Sequence, residues 1–381
     1  MENPSGMRLA FTGLLILAIA IGIGRFAFTP ILPVMQEDFG LSLRAAGLLA
    51  SANYIGYFLG ALSAIWLRLA PGAVVRGSVL AIAVLTAAMG MTQSSVAWLL
   101  LRGVAGIASA WGLIFASAWV LQGLAERKQG RLGGVVFGGV GAGIALTGML
   151  CVLFLRLAWS AGQIWIAMGV VALLPAWLIW HTCATAPSQR AAAPAAILPR
   201  DSLHSADNIR LIWAYGCFGF GYIIPATFLP AMARQAIPDP AIFGWAWPIF
   251  GTAALLSVLI AGRLSARYSY RSIWLASQLV MAVGVALPVG WSGIGGIIAS
   301  ALSVGGTFVV ATMAAMQEGR RVAADPTSLI AAMTAAFAIG QILGPLVVSL
   351  AAEKPWGMNI ALLSAAAVLL AGAVSLRRTE C

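Results

Sequence analysis

Residues 22–35 read "GIGRFAFTPILPVM", and 197 positions later residues 219–232 read "GFGYIIPATFLPAM". Both stretches open on G-x-G and close on L-P-x-M at the same distance. "GALSA" at 60–64 returns as "GRLSA" at 262–266, and "GVVFGG" at 134–139 is echoed by "GQILGP" at 340–345. Small residues are common in membrane helices, so one such match is weak. Three in order, at a slowly drifting offset, indicate that the chain carries one unit twice.

The unit is a set of membrane helices. The 381 residues are 61% hydrophobic and 9% charged, against about 25% charged in a soluble domain. A chain with so few charges cannot cover a water-facing surface. About twenty apolar residues cross a bilayer as a helix, and that ruler marks spans at 8–35, 44–67, 74–92, 95–122, 131–156 and 160–181. A second six follow at 208–233, 240–266, 271–290, 292–317, 327–351 and 356–376. The expected fold is an all-α membrane protein of twelve transmembrane helices in two pseudo-symmetric six-helix bundles, residues 1–181 and 208–381. Between them "TCATAPSQRAAAPAAILPRDSLHSAD", residues 182–207, reads as a linker because Ala, Pro and Ser dominate it. The apolar N-terminus is too long for a signal peptide and reads as a retained first helix.

The net charge of +11 is spread over short loops rather than clustered in a nucleic-acid reader, so no nucleic-acid partner is expected. With the N-terminus cytoplasmic, sixteen Lys and Arg fall on the inner side and four on the outer, with Arg25 and Arg102 inside spans. The positive-inside rule then places both termini and the linker in the cytoplasm. The four cysteines and two histidines have no metal or disulfide spacing. "GVGAG" at 139–143 lies in an apolar span with no preceding strand, and no G-x-x-x-x-G-K-[ST] exists, so neither dinucleotide binding nor ATP drive is expected. No nucleophile–base or metal set sits at membrane depth, so an enzyme is not expected and no cofactor is called for.

On these motifs the chain resembles the major facilitator superfamily over essentially its whole length. The family's loop pattern G-x-L-x-D-R-x-G-R-R is similar to "GRLSARYSYR" at 262–271, which keeps Gly262, Arg267 and Arg271 but has Ala266 in place of the acid. The first-half counterpart, "GALSAIWLRLAPGAVVR", keeps less, and Ala64 replaces the acid there. Without the acids, the arginines are left to cap helix C-termini. "LLLRGVAGIASA" is similar to the family's R-x-x-x-G in the fourth helix, through Arg102 and Gly106. "GQILGP", with Gly340, Gly344 and Pro345, resembles its glycine-rich packing motif, often associated with exporters. "GRFAFTPILPVM" followed by "GLLASANYIGYFLGAL" looks like the YbfB/YjiJ-type bacterial permeases. The resemblance implies parallel six-helix repeats and a central cavity lined by helices 1 and 4.

Arg25 is the outlying residue. A charge at the bilayer centre costs about 2.5–3.5 kcal/mol on insertion scales, and all eleven acids fall at span ends, in loops or at termini. Arg25 lies roughly 14 Å and Arg102 about 10 Å below the outer face, at 1.5 Å per residue. Two readings stand for Arg25: its planar fork anchors an anionic cargo, or it bonds carbonyls freed by Pro30 and Pro33. Arg102 is open between cargo anchor and conformational residue. Helical spacing adds Asn53 and Tyr57 with Gly60, then Ser109 below Gly106, then Tyr215 and Tyr222 (the repeat partner of Arg25), then Gln341 below Thr334 and Phe337. These form the candidate substrate-binding set. Trp245 and Trp247 are expected as interfacial anchors. The pairs Gly56/Gly60, Gly134/Gly138 and Gly340/Gly344 suit either close packing or sliding surfaces. The function this implies is secondary transport of a small organic solute, with an anion favoured by the unpaired arginines. The alternative is a proton-coupled exporter of drugs or sugars. The expected partners are the solute, the lipid bilayer and, in the coupled case, protons, and the expected state is a monomer.

Overall fold

The computed structural model describes residues 5–64, 66–67, 69–184, 205–237, 239–291, 293–322, 326–354 and 356–377; most of the expected linker lies outside them. Twelve membrane helices run in chain order: α1 Gly6–Phe39, α2 Leu43–Ser63, α3 Pro71–Met89, α4 Ser95–Glu126, α5 Gly133–Arg156 and α6 Ala161–Cys183 in the first half. The second half has α7 Ala206–Ala236, α8 Ala246–Ser265, α9 Tyr270–Gly290, α10 Ile294–Val322, α11 Pro326–Ala351 and α12 Gly357–Leu376. Eleven of them are long and apolar enough to cross a membrane, and α8 contributes a shorter apolar stretch, Ala246–Val258. Large apolar side chains such as Leu100, Leu153, Val283 and Leu343 stand exposed around the outside, where lipid would cover them.

Local sequence sets the helix starts. Ser42, Ser94, Ser160, Ser205 and Ser269 cap α2, α4, α6, α7 and α9, each accepting a backbone N–H of the first turn. Ser160 and Gln163 close a full capping box. The one departure with functional weight is α1. It runs as an α-helix over Gly6–Leu17, widens to a π-helix over Ala18–Ile23, turns at residues 24–27, and resumes as Phe28–Phe39. The break lies just before Pro30, which has no N–H to give the carbonyl of Phe26 and would crowd it in a straight helix.

An even number of crossings puts both termini at one end. The halves join through two repeat-related pairs, α2 with α11 and α5 with α8, and through α1 against α7. Small residues allow the approach: a methyl added at Gly47 would stand 2.6 Å from the carbonyl of Pro345, and one at Gly141 would stand 2.7 Å from Leu255 Cα. The described inter-half hydrogen bonds gather between mid-depth and the end opposite the termini. Arg44 Nη1 meets Glu353 at 2.7 Å and Arg234 Nη2 meets Glu37 at 2.5 Å. Ser51 Oγ donates to the Ile342 carbonyl at 3.1 Å, and Ser349 Oγ to that of Arg44 at 3.0 Å. Three contacts link residues at the same 197 spacing: Arg25 with Tyr222, Thr29 with Ala226, and Glu37 with Arg234. A residue touching its own repeat partner marks the pseudo-twofold axis between α1 and α7.

Candidate functional site

The turn at residues 24–27 leaves backbone carbonyls of Gly24 and Arg25 without the N–H four residues on that a continuous helix supplies. Inside a bilayer such groups must find partners within the protein. Two side chains arrive from different helices. Arg102 of α4 donates through Nη1 to the Gly24 carbonyl at 3.4 Å and through Nη2 to the Arg25 carbonyl at 3.1 Å. Asn53 of α2 donates through Nδ2 to the Gly24 carbonyl at 3.3 Å and to that of Arg102 at 2.9 Å. The ring of Phe28 covers one face of the Arg102 guanidinium, 5.1 Å from its centroid.

These two donors are neighbours because α2 and α4 pack backbone to backbone. A methyl at Gly56 would fall on the Gly103 carbonyl, and one at Gly106 on that of Asn53. Gly60 faces Ile107 and Ala110 of the same helix. Ser109 is fully buried with its Oγ against Gly24, where a Cβ would collide with it. Arg102 thus takes its backbone-holding role at α1, and Asn53 shares it, while Ser109 packs against Gly24 with its Oγ making no hydrogen bond. The carbonyl-serving arginine is Arg102, acting on Gly24 and Arg25, rather than Arg25 acting on carbonyls freed by the prolines.

Arg25 itself points the other way, across the junction. Its Nη2 reaches Tyr222 Oη at 3.5 Å. Its guanidinium lies over Tyr57 at 4.5 Å, Tyr54 at 5.0 Å and Phe26 at 5.2 Å from the ring centroids. It is 5% exposed, its Nε has no partner, and no carboxylate pairs with it among the described residues. Gln341 of α11 donates through Nε2 to Tyr222 Oη, leaving its own Oε1 without a partner. Tyr222 Oη therefore accepts from two donors, and its own hydrogen is left to donate. Behind it Phe308 and Phe337 stack nearly parallel, at 5.7 and 5.6 Å. Tyr215 stacks on Phe337 at 4.8 Å, one layer deeper.

The structure therefore brings Arg25, Tyr57, Tyr222 and Gln341 to one junction. Asn53, Arg102 and Ser109 sit one layer behind it, and Tyr215 in the ring stack. Thr29, Tyr54, Phe308 and Thr227 belong to the same region, with Tyr54 Oη 3.1 Å from Thr227 Oγ1. The repeat alignment could have flagged Thr29 and Thr227, since they flank aligned positions. Phe308 carried no signal among many apolar residues.

The glycine pairs divide. Gly56/Gly60 pack α2 on α4, and Gly340/Gly344 pack α11 on α7, within a half, whereas Gly138 meets Leu255 across the halves at 3.3 Å. Pro345 lies where Gly47 of the first half meets α11. Trp247 corrects an expectation: it is fully buried and stacks on Phe250 at 4.9 Å, while Trp245 is 45% exposed. Gly262 is a helical residue of α8, and Arg267 is exposed just beyond it. Arg271 makes a two-bond fork to Asp207 at 2.6 and 3.0 Å and donates through Nε to the Leu376 carbonyl at 2.9 Å. It therefore closes the C-terminus of α12, with the acid supplied by α7 in place of the missing residue at Ala266.

Residues 17–377 match the family described as "Uncharacterised MFS-type transporter YbfB". No curated protein matches the chain in sequence. In fold it is similar to a bacterial homolog of the human lysosomal transporter Spinster in an inward-facing and occupied conformation. That structure has a TM-score of 0.75 at 13% identity, over 99% of this chain and 97% of that one. Its inward-facing and unoccupied form gives 0.70 at 12%, over 99% and 97%. The D323A mutant of the nucleoside transporter NupG gives 0.69 at 16% identity, over 97% and 98%.

Proposed function

This chain belongs to the YbfB-type family of major facilitator transporters, and we propose that the solute it carries is a small organic anion held at Arg25. It is a multi-pass membrane protein and a secondary transporter, not an enzyme. The observation that carries the anion is the Arg25 guanidinium, buried where the halves meet, with a hydroxyl and rings for company and one N–H unpartnered. The aromatic faces and the Tyr222 hydroxyl offset part of the burial cost. A carboxylate would supply the missing negative charge and accept from Arg25 Nε and Tyr222 Oη together. Gln341 orients Tyr222 for that donation, and Tyr57 forms the wall opposite.

The charge asymmetry supports placing the termini in the cytoplasm of a bacterial inner membrane. With that orientation the junction is sealed toward the outside by the Glu37–Arg234 and Arg44–Glu353 pairs. Alternating access then consists of opening that seal as α2–α11 and α5–α8 rock, Gly134 and Gly138 lying on the second of these surfaces. Arg267, Arg271 and Gly262 belong to the rigid base of the second half. Gly60, Gly106, Gly340 and Gly344 hold together the bundles that move, and Pro345 lies on the α2–α11 surface between them.

The test is thermal stabilisation and proteoliposome uptake of the full-length protein with benzoate, lactate, glucose, uridine and ethidium. The expected result is stabilisation by an anion, lost in Arg25→Ala and partly kept in Arg25→Lys. Stabilisation by the neutral or cationic compounds alone, unchanged in Arg25→Ala, would instead establish a second reading, an exporter of drugs or sugars. The stacked wall of Tyr222, Phe308 and Phe337 favours that reading for a flat cargo. A proton signal accompanying uptake in the same vesicles distinguishes coupled transport from facilitation.

A further inference from the structure

We propose that Asn53 and Arg102 are positioning residues: they pin the break in α1 and thereby fix where Arg25 meets the second half. This role is independent of the charge of the cargo. Three observations carry it. The turn frees two adjacent carbonyls at a depth where water is scarce, and the two side chains supply three of their hydrogen bonds, at 3.1 to 3.4 Å. Asn53 also bonds the Arg102 carbonyl at 2.9 Å, so α1, α2 and α4 are tied at one point rather than in pairs. Both groups are almost fully buried, Asn53 at 0% and Arg102 at 3% exposure, with Phe28 from the far side of the break lying over the guanidinium.

The geometry separates backbone from side chain at Arg25. Its carbonyl is tied to the first half, while its guanidinium reaches the phenol of the second. Relative motion of the halves is then felt at the Arg25–Tyr222 contact, because the main chain beneath it is held. A guanidinium suits the clamp because two parallel N–H groups span two successive carbonyls, which a lysine ammonium does not match. Gly24 completes the device, since any side chain there would strike Ser109.

The experiment uses full-length protein in lipid nanodiscs. Amide hydrogen exchange is followed in peptides covering residues 18–30, in wild type, Asn53→Ala, Arg102→Lys and Arg102→Ala, with Ser51→Ala as a control that breaks only an inter-half bond. In parallel, butanedione modification is read by mass spectrometry at Arg25, with exposed Arg267 as internal reference. The expected result is exchange about tenfold faster over residues 18–30 in Asn53→Ala and Arg102→Ala, less in Arg102→Lys, with peptides of α7 and α11 unchanged. Modification of Arg25 rises several-fold relative to Arg267 in the same variants and stays at the wild-type rate in Ser51→Ala. A merely structural role would loosen α2 and α4 as much as the turn and leave the Arg25 rate tracking overall stability. That pattern, or unchanged exchange at residues 18–30 in Asn53→Ala and Arg102→Lys, overturns the proposal. If Arg102→Ala does not fold, those two milder variants decide it.

Discussion

Helices α1 and α7 occupy equivalent places, align residue for residue, and behave differently. α7 is continuous from Ala206 to Ala236 with Pro225 and Pro230 inside it. α1, with Pro30 and Pro33, widens into a π-helix and breaks. The difference lies in what neighbours offer. Pro225 and Pro230 have no N–H for the Gly221 and Ala226 carbonyls, and Thr29 Oγ1 bonds the second of these at 3.1 Å across the axis. The α1 turn frees two carbonyls, and Asn53 and Arg102 provide donors for both. In the second half, α8 and α10 carry no asparagine, glutamine or arginine outside their last two turns. No amide or guanidinium from these helices stands ready at the equivalent place, and α7 runs unbroken there. One half presents a charge on an interrupted helix, and the other a phenol on a rigid one.

The largest expected effect tests the functional side of that contrast. Arg25→Ala is expected to lower uptake of the best-stabilising anion about a hundredfold, the size of two charge-assisted bonds, and Tyr222→Phe about tenfold. Equal losses in both variants would make the two halves equivalent at the site and break the comparison. Next, Gly106→Ala places a methyl against the Asn53 backbone and the Tyr57 amide. An equilibrium denaturation in mild detergent is expected to register a loss of about 1–3 kcal/mol. The second-half counterpart, Gly305→Ala on α10 against the Phe250 carbonyl of α8, is expected to lose a similar amount while leaving Arg25 modification unchanged.

Thr29→Val sharpens the proline argument. It leaves the Ala226 carbonyl buried and unpaired, for about 1–3 kcal/mol in the same denaturation. In a Pro230→Ala background, where a backbone N–H is restored to that carbonyl, the same change is expected to be nearly neutral. Additive effects would show that Thr29 is not the replacement donor. Last comes the seal: Arg44 and Glu353 are exposed, so Arg44→Ala is expected to change stability by less than about 1 kcal/mol, and less still at high salt.

Much of this is legible in the residues. Helix number, the duplication and the singularity of Arg25 follow from hydropathy and from the cost of a charge in hydrocarbon. Tyr222 emerges as the repeat partner of Arg25, and Gln341 from its spacing on α11. Arg102 stays open in the sequence because its acceptors are backbone carbonyls, which every residue possesses and no pattern marks. Trp247 has the look of an interfacial anchor from its place near a span end. It is buried because Phe250 and Phe26 enclose it, a contact set by how α8 leans on α1 and α5.

The sequence by itself determined twelve apolar helices in two copies, a charge with no acid at its depth, and membership in a transport fold, because hydrocarbon is an exacting solvent for each residue separately. Only the tertiary structure decided that α1 breaks at the charge, that one arginine serves the main chain while the other crosses to Tyr222, and which glycines join halves rather than build them. Those outcomes depend on which helix supplies a donor to which carbonyl, and a hydrogen bond between distant helices leaves no period in the chain.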